Sequence, residues 1–185
     1  YSYINPKKPI IAKYLGYNTD TEKRIVIYRN SLLYLRYAEA INRLGYPETA
    51  YAILTTGLNQ TTVRKAKIAK EIGTTGGGTA PEYLDFSDYR YTGSIGTMMR
   101  GLGNTNIDST YYNFKQQANK PDSILFVENA IVDELAAELA FEGNRFQDLM
   151  RIAKRRNDPA FLADKVSKKY KTDKELVRTR LMDMK

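Results

Sequence analysis

Residues 28–59 read YRNSLLYLRYAEAINRLGYPETAYAILTTGLN, a pattern that predicts two consecutive helices. The apolar side chains that recur at helical spacing through residues 30–44 are Leu33, Tyr37, Ile41 and Leu44. Gly45 suits the left-handed turn that ends a helix, and Pro47 suits the first turn of the next one. The two helices together make a tetratricopeptide-like pair over residues 30–57. Because such a pair cannot cover its own apolar face, we expect helical neighbours.

The last part of the chain, residues 123–185, also predicts helices. Its first helix begins near Pro121-Asp122-Ser123 and carries an apolar stripe that ends at Gly143; the stripe consists of Val127, Ile131, Leu135 and Leu139. The apolar residues of a second, short helix are Phe146, Leu149, Ile152 and Ala153. Asp158-Pro159 predicts the cap and first turn of a helix over residues 160–170, and Thr172 and Glu175 have capping-box spacing for a final helix.

Two other segments lack this periodicity. Residues 1–29 contain Pro6, Pro9 and the β-branched run RIVIYR, so they are predicted to be extended. Residues 58–122 include three consecutive glycines and predict an irregular insertion with one short helix over residues 63–72. Loops of this length inside a compact domain are usually functional or disordered.

The insertion carries the candidate ligand-binding residues. They form two short groups, Tyr83, Asp85, Asp88, Tyr89, Arg90 and Tyr91 in the first, and Tyr111, Tyr112 and Asn113 in the second. An aromatic face can bury the C–H surface of a sugar ring while polar neighbours bind its hydroxyls. The alternative is that these tyrosines hold a long loop against the helices.

Composition excludes several kinds of chemistry. The chain contains no cysteine and no histidine, so it has no disulfide, thiolate zinc site, cysteine nucleophile or histidine-based catalysis. The glycine-rich segments lack the GKS or GKT of a phosphate loop. We therefore expect neither a cofactor nor a metal.

The positive net charge does not predict nucleic-acid binding. The formal charge is 29 − 21 = +8, and residues 151–185 hold 12 Lys and Arg against 5 Asp and Glu. The excess is thus confined to the end of the chain, and the usual nucleic-acid motifs are missing.

Charged residues cluster in AAELAFEGNRFQDLMR, residues 136–151. Those interpreted as ion-pair partners are Glu138, Glu142, Arg145, Asp148 and Arg151. Paired carboxylates also serve glycosidases as acid and base, but carboxylates four residues apart on one helix, as expected for Glu134, Glu138 and Glu142, repel each other and favour cationic partners. We interpret the cluster as a structural ion-pair network. Glu39 is interpreted in the same way, with Arg29 or Arg36 as its partner.

Two of these patterns together resemble the SusD/RagB family. Arg29, the YAEA of residues 37–40, Asn42 and Gly45 match its first pattern. Residues 138–151 match the second, E-L-A-F-E-G-x-R-x-x-D-L-x-R, at every specified position. The resemblance covers residues 24–60 and 123–170, about half the chain, and identifies it as the C-terminal portion of such a protein.

This resemblance implies an all-α fold, a superhelix of tetratricopeptide-like helix pairs whose irregular insertions carry the ligand site. It implies a surface-exposed lipoprotein of the outer membrane that binds an oligosaccharide, or in some members a peptide, and delivers it to a SusC-like TonB-dependent transporter. Family members are not enzymes and are longer than 185 residues, so we expect a fragment of one SusD-like domain, with the lipid anchor outside it. A helical-repeat scaffold for protein partners is the alternative, and glycan titration separates the two.

Overall fold

The computed structural model describes residues 28–93, 96–97 and 117–183, and in those residues it contains α-helices and short 3₁₀ turns but no strand. The all-α prediction is confirmed. The helices are α1 (Asn30–Arg43), α2 (Pro47–Thr55), α3 (Gln60–Val63), α4 (Ala66–Ile72), α5 (Lys120–Glu138), α6 (Arg145–Arg156), α7 (Pro159–Ser167) and α8 (Lys174–Met182). Contacts divide the chain into two compact units, residues 1–131 and 132–185. The extended segment predicted for residues 1–29 lies outside the described residues, except for its last two.

Helices α1 and α2 form the predicted hairpin. Gly45 has φ of +93°, which confirms the left-handed turn, and Pro47 occupies the first turn of α2. Helix α2 is buried on nearly all sides, and Ala50, Ile53 and Leu54 are each at most 1% exposed. The hairpin is therefore the centre of the first unit.

The face of α1 that packs inward differs from the predicted stripe. Leu33 and Leu44 are 56% and 61% exposed, whereas Leu32, Leu35 and Ala38 are buried. Ile41, 1% exposed, confirms one member of the stripe, but Leu33 and Leu44 contradict it, because the helix contains apolar residues on several faces and spacing alone does not select among them. Helix α1 packs against α2, and its buried face carries Leu35 and Ala38.

The insertion contains more helix than predicted. The single helix expected over residues 63–72 is replaced by α3 and α4, because the extended backbone of Lys65 (φ −60°, ψ 132°) separates them. The Asn59 side chain accepts a hydrogen bond from the Thr62 amide at 2.9 Å and starts α3. Gly73, with φ of +82°, ends α4.

Helix α5 buries its whole predicted stripe, since Val127, Ile131, Leu135 and the following Leu139 are all at most 4% exposed. Its ends differ from the prediction. Asn119 caps the helix by accepting a hydrogen bond from the Asp122 amide at 2.9 Å, so the cap lies before Pro121 rather than at Asp122 or Ser123. The helix ends at Glu138, a turn before Gly143.

The second unit packs α6 and α7 around a small apolar core. Its buried members are Val132, Leu149, Ile152, Ala153 and Leu162. Asp158 caps α7, as predicted, through a 3.2 Å hydrogen bond from the Phe161 amide. The capping box predicted for α8 is wrong, because Asp173 in a left-handed conformation precedes that helix and Thr172 does not cap it. No helix in the described part of the chain is long and apolar enough to cross a membrane.

Candidate ligand-binding site

Two 3₁₀ turns, Glu82–Leu84 and Tyr89–Tyr91, present the first group of candidate residues. Leu84 and Phe86 anchor the segment, with 0% and 6% of their surface exposed. The Phe86 ring meets the edge of Tyr37 of α1, with centroids 6.0 Å apart, and Tyr91 in the same manner at 5.7 Å. The segment is therefore held to the helical hairpin by buried rings rather than left as a free loop.

Two of the candidate tyrosines remain accessible to solvent. Tyr83 is 50% exposed and Tyr89 is 78% exposed. Tyr91 packs against Phe86 and is only half-buried, so its ring contributes to the anchor. The first group thus divides into one anchoring tyrosine and two exposed ones.

The polar members of the group shape the turns. The carboxylate of Asp88 accepts hydrogen bonds from the Arg90 amide at 2.8 Å and from its guanidinium at 3.0 and 2.6 Å. These bonds hold the pKa of Asp88 below its usual range, and hydrogen bonds from Ser87 lower the pKa of Asp85 in the same way. Both carboxylates are therefore ionised at neutral pH.

Two tyrosines outside the predicted set belong to the same cluster. The Tyr37 hydroxyl donates a hydrogen bond to the main-chain carbonyl of Tyr83. Burial raises the pKa of Tyr37, and Tyr91 and Tyr83 add to the effect. A hydrogen bond with the Tyr46 side chain raises the pKa of the Tyr83 hydroxyl. No sequence pattern indicates the role of Tyr46. Tyr37 was assigned to the apolar stripe of the first helix, because the position of its ring on a helix gives no information on what its hydroxyl binds.

An open groove of about 560 Å³ lies at the start of α2. Pro47, the residue after Tyr46, lines it together with charged and amide side chains from α4 and residues 117–123. The carboxylate of Glu71 accepts hydrogen bonds from the amides of Glu48 and Thr49 at 2.9 and 2.7 Å, and so occupies the N-terminus of α2. Burial raises the pKa of Glu48. Seven of the groove's ten lining residues carry charged or amide side chains.

The second candidate group, Tyr111, Tyr112 and Asn113, lies outside the described residues. Its part in a ligand site stays a prediction.

Ion pairs form at three of the residues interpreted as ion-pair partners, Glu39, Asp148 and Arg151. Glu39, 2% exposed, contacts Arg36 at 3.5 Å and also Arg43, which the sequence analysis did not name. Arg43 lies 4.0 Å from the buried Glu128 of α5, so one guanidinium contacts carboxylates of two helices. Arg43 lies four residues after Glu39, so helical spacing could have indicated this pair, whereas the contact with Glu128 is long-range and local spacing does not reveal it.

In the second unit, the buried Asp148 contacts Arg151 at 3.6 Å. Arg145 donates a 2.7 Å hydrogen bond to the carbonyl of Val132. The rings of Phe141 and Phe146, which neighbour Glu142 and Arg145 in the sequence, are 82% and 42% exposed. Phe141 has φ of +67°, so the chain reverses there and turns the ring to solvent.

The three glutamates expected on one helix face are separated, because α5 ends at Glu138 and Glu142 lies in the following turn. Burial, with a smaller contribution from Glu138, raises the pKa of Glu134 to about 7. Raised carboxyl pKa values also occur in general acids, but Glu134 does not line the groove at α2. The described residues contain no cluster of carboxylates suited to a metal ion.

Comparison with known proteins identifies a family. The family model described as the SusD family matches residues 82–181, more than half of the 185 residues. Proteins of this family bind glycan nutrients in polysaccharide utilisation, associate with the outer membrane as lipoproteins and act with SusC-like transporters. No curated protein and no solved structure matches the chain.

Proposed function

The chain belongs to the SusD family, and from this premise we propose that it binds an oligosaccharide without acting on it. The proposed contact surface consists of the exposed rings of Tyr83 and Tyr89. The observation that carries the proposal is that these rings face solvent on turns whose neighbours, Leu84 and Phe86, are buried. Large aromatic side chains at 50% and 78% exposure bring an apolar surface to water, and a stacked sugar ring would cover it.

Preorganisation supports this role. Because Tyr37 binds the backbone of Tyr83 and Tyr46 binds its side chain, the Tyr83 ring has a restricted orientation before any ligand arrives. A ring that is already ordered loses little conformational entropy on binding. Asp85 and Asp88, both ionised, supply acceptors for sugar hydroxyls near the rings.

The partners follow from the family. We propose that the bound glycan passes to a SusC-like transporter and that the protein works at the outer membrane as a surface lipoprotein. Some family members bind a peptide instead. A peptide ligand would require more hydrogen bonds to its main chain and less stacking on aromatic rings than an oligosaccharide does.

Affinity electrophoresis through gels that contain single soluble polysaccharides tests the proposal. We expect the wild type to migrate more slowly in at least one polysaccharide gel than in a gel without polysaccharide. The Tyr170→Ala control should be retarded as much as the wild type, and Tyr89→Ala should be retarded less. Tyr170 is a suitable control because it is equally large and 50% exposed, but lies in the second unit. Retention by no glycan, together with binding of peptides, would contradict the proposed ligand class, and release of shortened oligosaccharides would contradict the absence of catalysis.

A further inference from the structure

A basic corner joins α7 to α8 in the second unit. Residues 168–174 carry four lysines, Lys168, Lys169, Lys171 and Lys174, and one acidic residue, Asp173. All seven residues are exposed, and α7 and α8 pack against each other, so the corner between them turns outward.

The four ammonium groups of the basic corner form no ion pair with any described residue. This distinguishes them from their neighbours. Lys165 binds Asp133 at 2.9 Å, and Arg178 binds Asp164 at 2.7 Å. The positive charge of the corner is therefore not balanced by an ion pair among the residues that the structure describes, and the four side chains are exposed to solvent.

The shape of the corner favours an extended surface over a small ligand. Its lysines line neither the groove at α2 nor the apolar groove of about 410 Å³ that Met150, Leu162 and Met182 help to line in the second unit. Tyr170, in the middle of the lysines, is 50% exposed. A tyrosine among basic residues suits the boundary between water and lipid, where its ring enters the interface and its hydroxyl stays hydrated.

We propose that the basic corner binds a membrane surface rich in phosphate-bearing anionic lipids. This contact is separate from the glycan site and orients the second unit toward the bilayer. Lysines near an anionic surface each strengthen binding, and the attraction falls as salt screens it. An outward turn can bring all four ammonium groups to one plane of head groups.

Co-sedimentation of the full chain with vesicles tests the proposal. The vesicles are phosphatidylcholine alone, or phosphatidylcholine mixed with phosphatidylglycerol. We expect binding only to the mixed vesicles and loss of that binding at high salt. Replacement of the four lysines by Gln should weaken binding by about a hundredfold or more, and Tyr170→Ser should weaken it by a smaller factor.

The matched control replaces Arg64, Lys65, Lys67 and Lys70 by Gln, which removes the same charge from a region that also holds Glu48 and Glu71. This control variant should lose much less affinity for the mixed vesicles than the variant in which the four lysines of the basic corner are replaced. Equal losses in the two variants would show a net-charge effect and overturn the proposal, as would failure to bind the mixed vesicles. Displacement by inorganic phosphate at constant ionic strength would instead indicate a small-anion site and would also overturn it. Because the assay contains no glycan, its result is independent of the proposed function.

Discussion

The Tyr37 hydroxyl in α1 donates a hydrogen bond to the main-chain carbonyl of Tyr83, 46 residues further along the chain. This bond, together with the contact of the Tyr37 ring with Phe86, joins the helical hairpin to the turns that present the exposed tyrosines. The Tyr37 side chain therefore connects helix α1 to the segment that carries the proposed ligand surface.

Replacing Tyr37 by Phe tests this connection. The change keeps the ring packing and removes only the hydroxyl, so we expect a loss of about 1 kcal/mol in the free energy of unfolding. Amide exchange in residues 83–91 should become faster, while the Tyr28→Phe control, at a position 60% exposed, should behave as the wild type. Unchanged exchange in that segment would show that the hydroxyl does not hold the turns.

Glu39 should be among the most sensitive positions for stability. Its carboxylate is buried beside Arg36 and Arg43, so Glu39→Ala removes an ion-pair acceptor that two guanidinium groups share and should cost about 3 kcal/mol, since both arginines are partly exposed. Chemical denaturation of this variant and of Glu82→Ala, an exposed control, measures the difference. A Glu39→Ala protein as stable as the control would contradict the assignment of Glu39 as a structural ion-pair residue.

Gly45 should tolerate no side chain without strain. At φ of +93°, a Cβ atom is disfavoured, and it would lie 3.1 Å from the Nζ atom of Lys120. We expect Gly45→Ala to lower the free energy of unfolding by about 1–2 kcal/mol. Gly93→Ala is the matched control, because a Cβ there meets no atom within 4 Å and the backbone has no positive φ. Equal stability of the two variants would argue against the left-handed turn.

Glu134 should make stability depend on pH. Its pKa is raised from 4.5 to about 7, so the folded state holds the proton more tightly than the unfolded state. The stability contributed by this group is therefore lost as pH rises from about 4.5 to about 7. Glu134→Gln should be more stable than the wild type at pH of about 8, by about 1–3 kcal/mol after allowance for solvent screening, and unchanged at pH of about 4.

Thermal melts across this pH range check the prediction, with Glu82→Gln as an exposed control. A Glu134→Gln protein whose melting temperature follows the wild-type pH curve would show that the carboxyl group is not the titrating one.

Local sequence rules predicted helix ends correctly where a single glycine or proline determines the backbone conformation. Gly45 and the Asp158-Pro159 pair marked a helix end and a helix start correctly. The same rules misplaced the end of α5, because the apolar Leu139 continues its stripe although the helix has already ended. The sequence named Tyr83, Tyr89 and Tyr91 as candidates, but local rules do not separate the exposed rings of the first two from Tyr91, because its contact with Phe86 arises only in the folded chain.

The most direct test of the central claim is calorimetric titration of the retained oligosaccharide into the wild type and the variants Tyr83→Ala, Tyr89→Ala and Tyr170→Ala. If the two exposed rings stack on sugar, each of the first two variants should bind about tenfold or more weakly. Tyr170→Ala should bind as the wild type does, and melting temperatures should show that all three variants are folded. Wild-type affinity in both Tyr83→Ala and Tyr89→Ala would contradict the account and place the glycan site elsewhere in the chain.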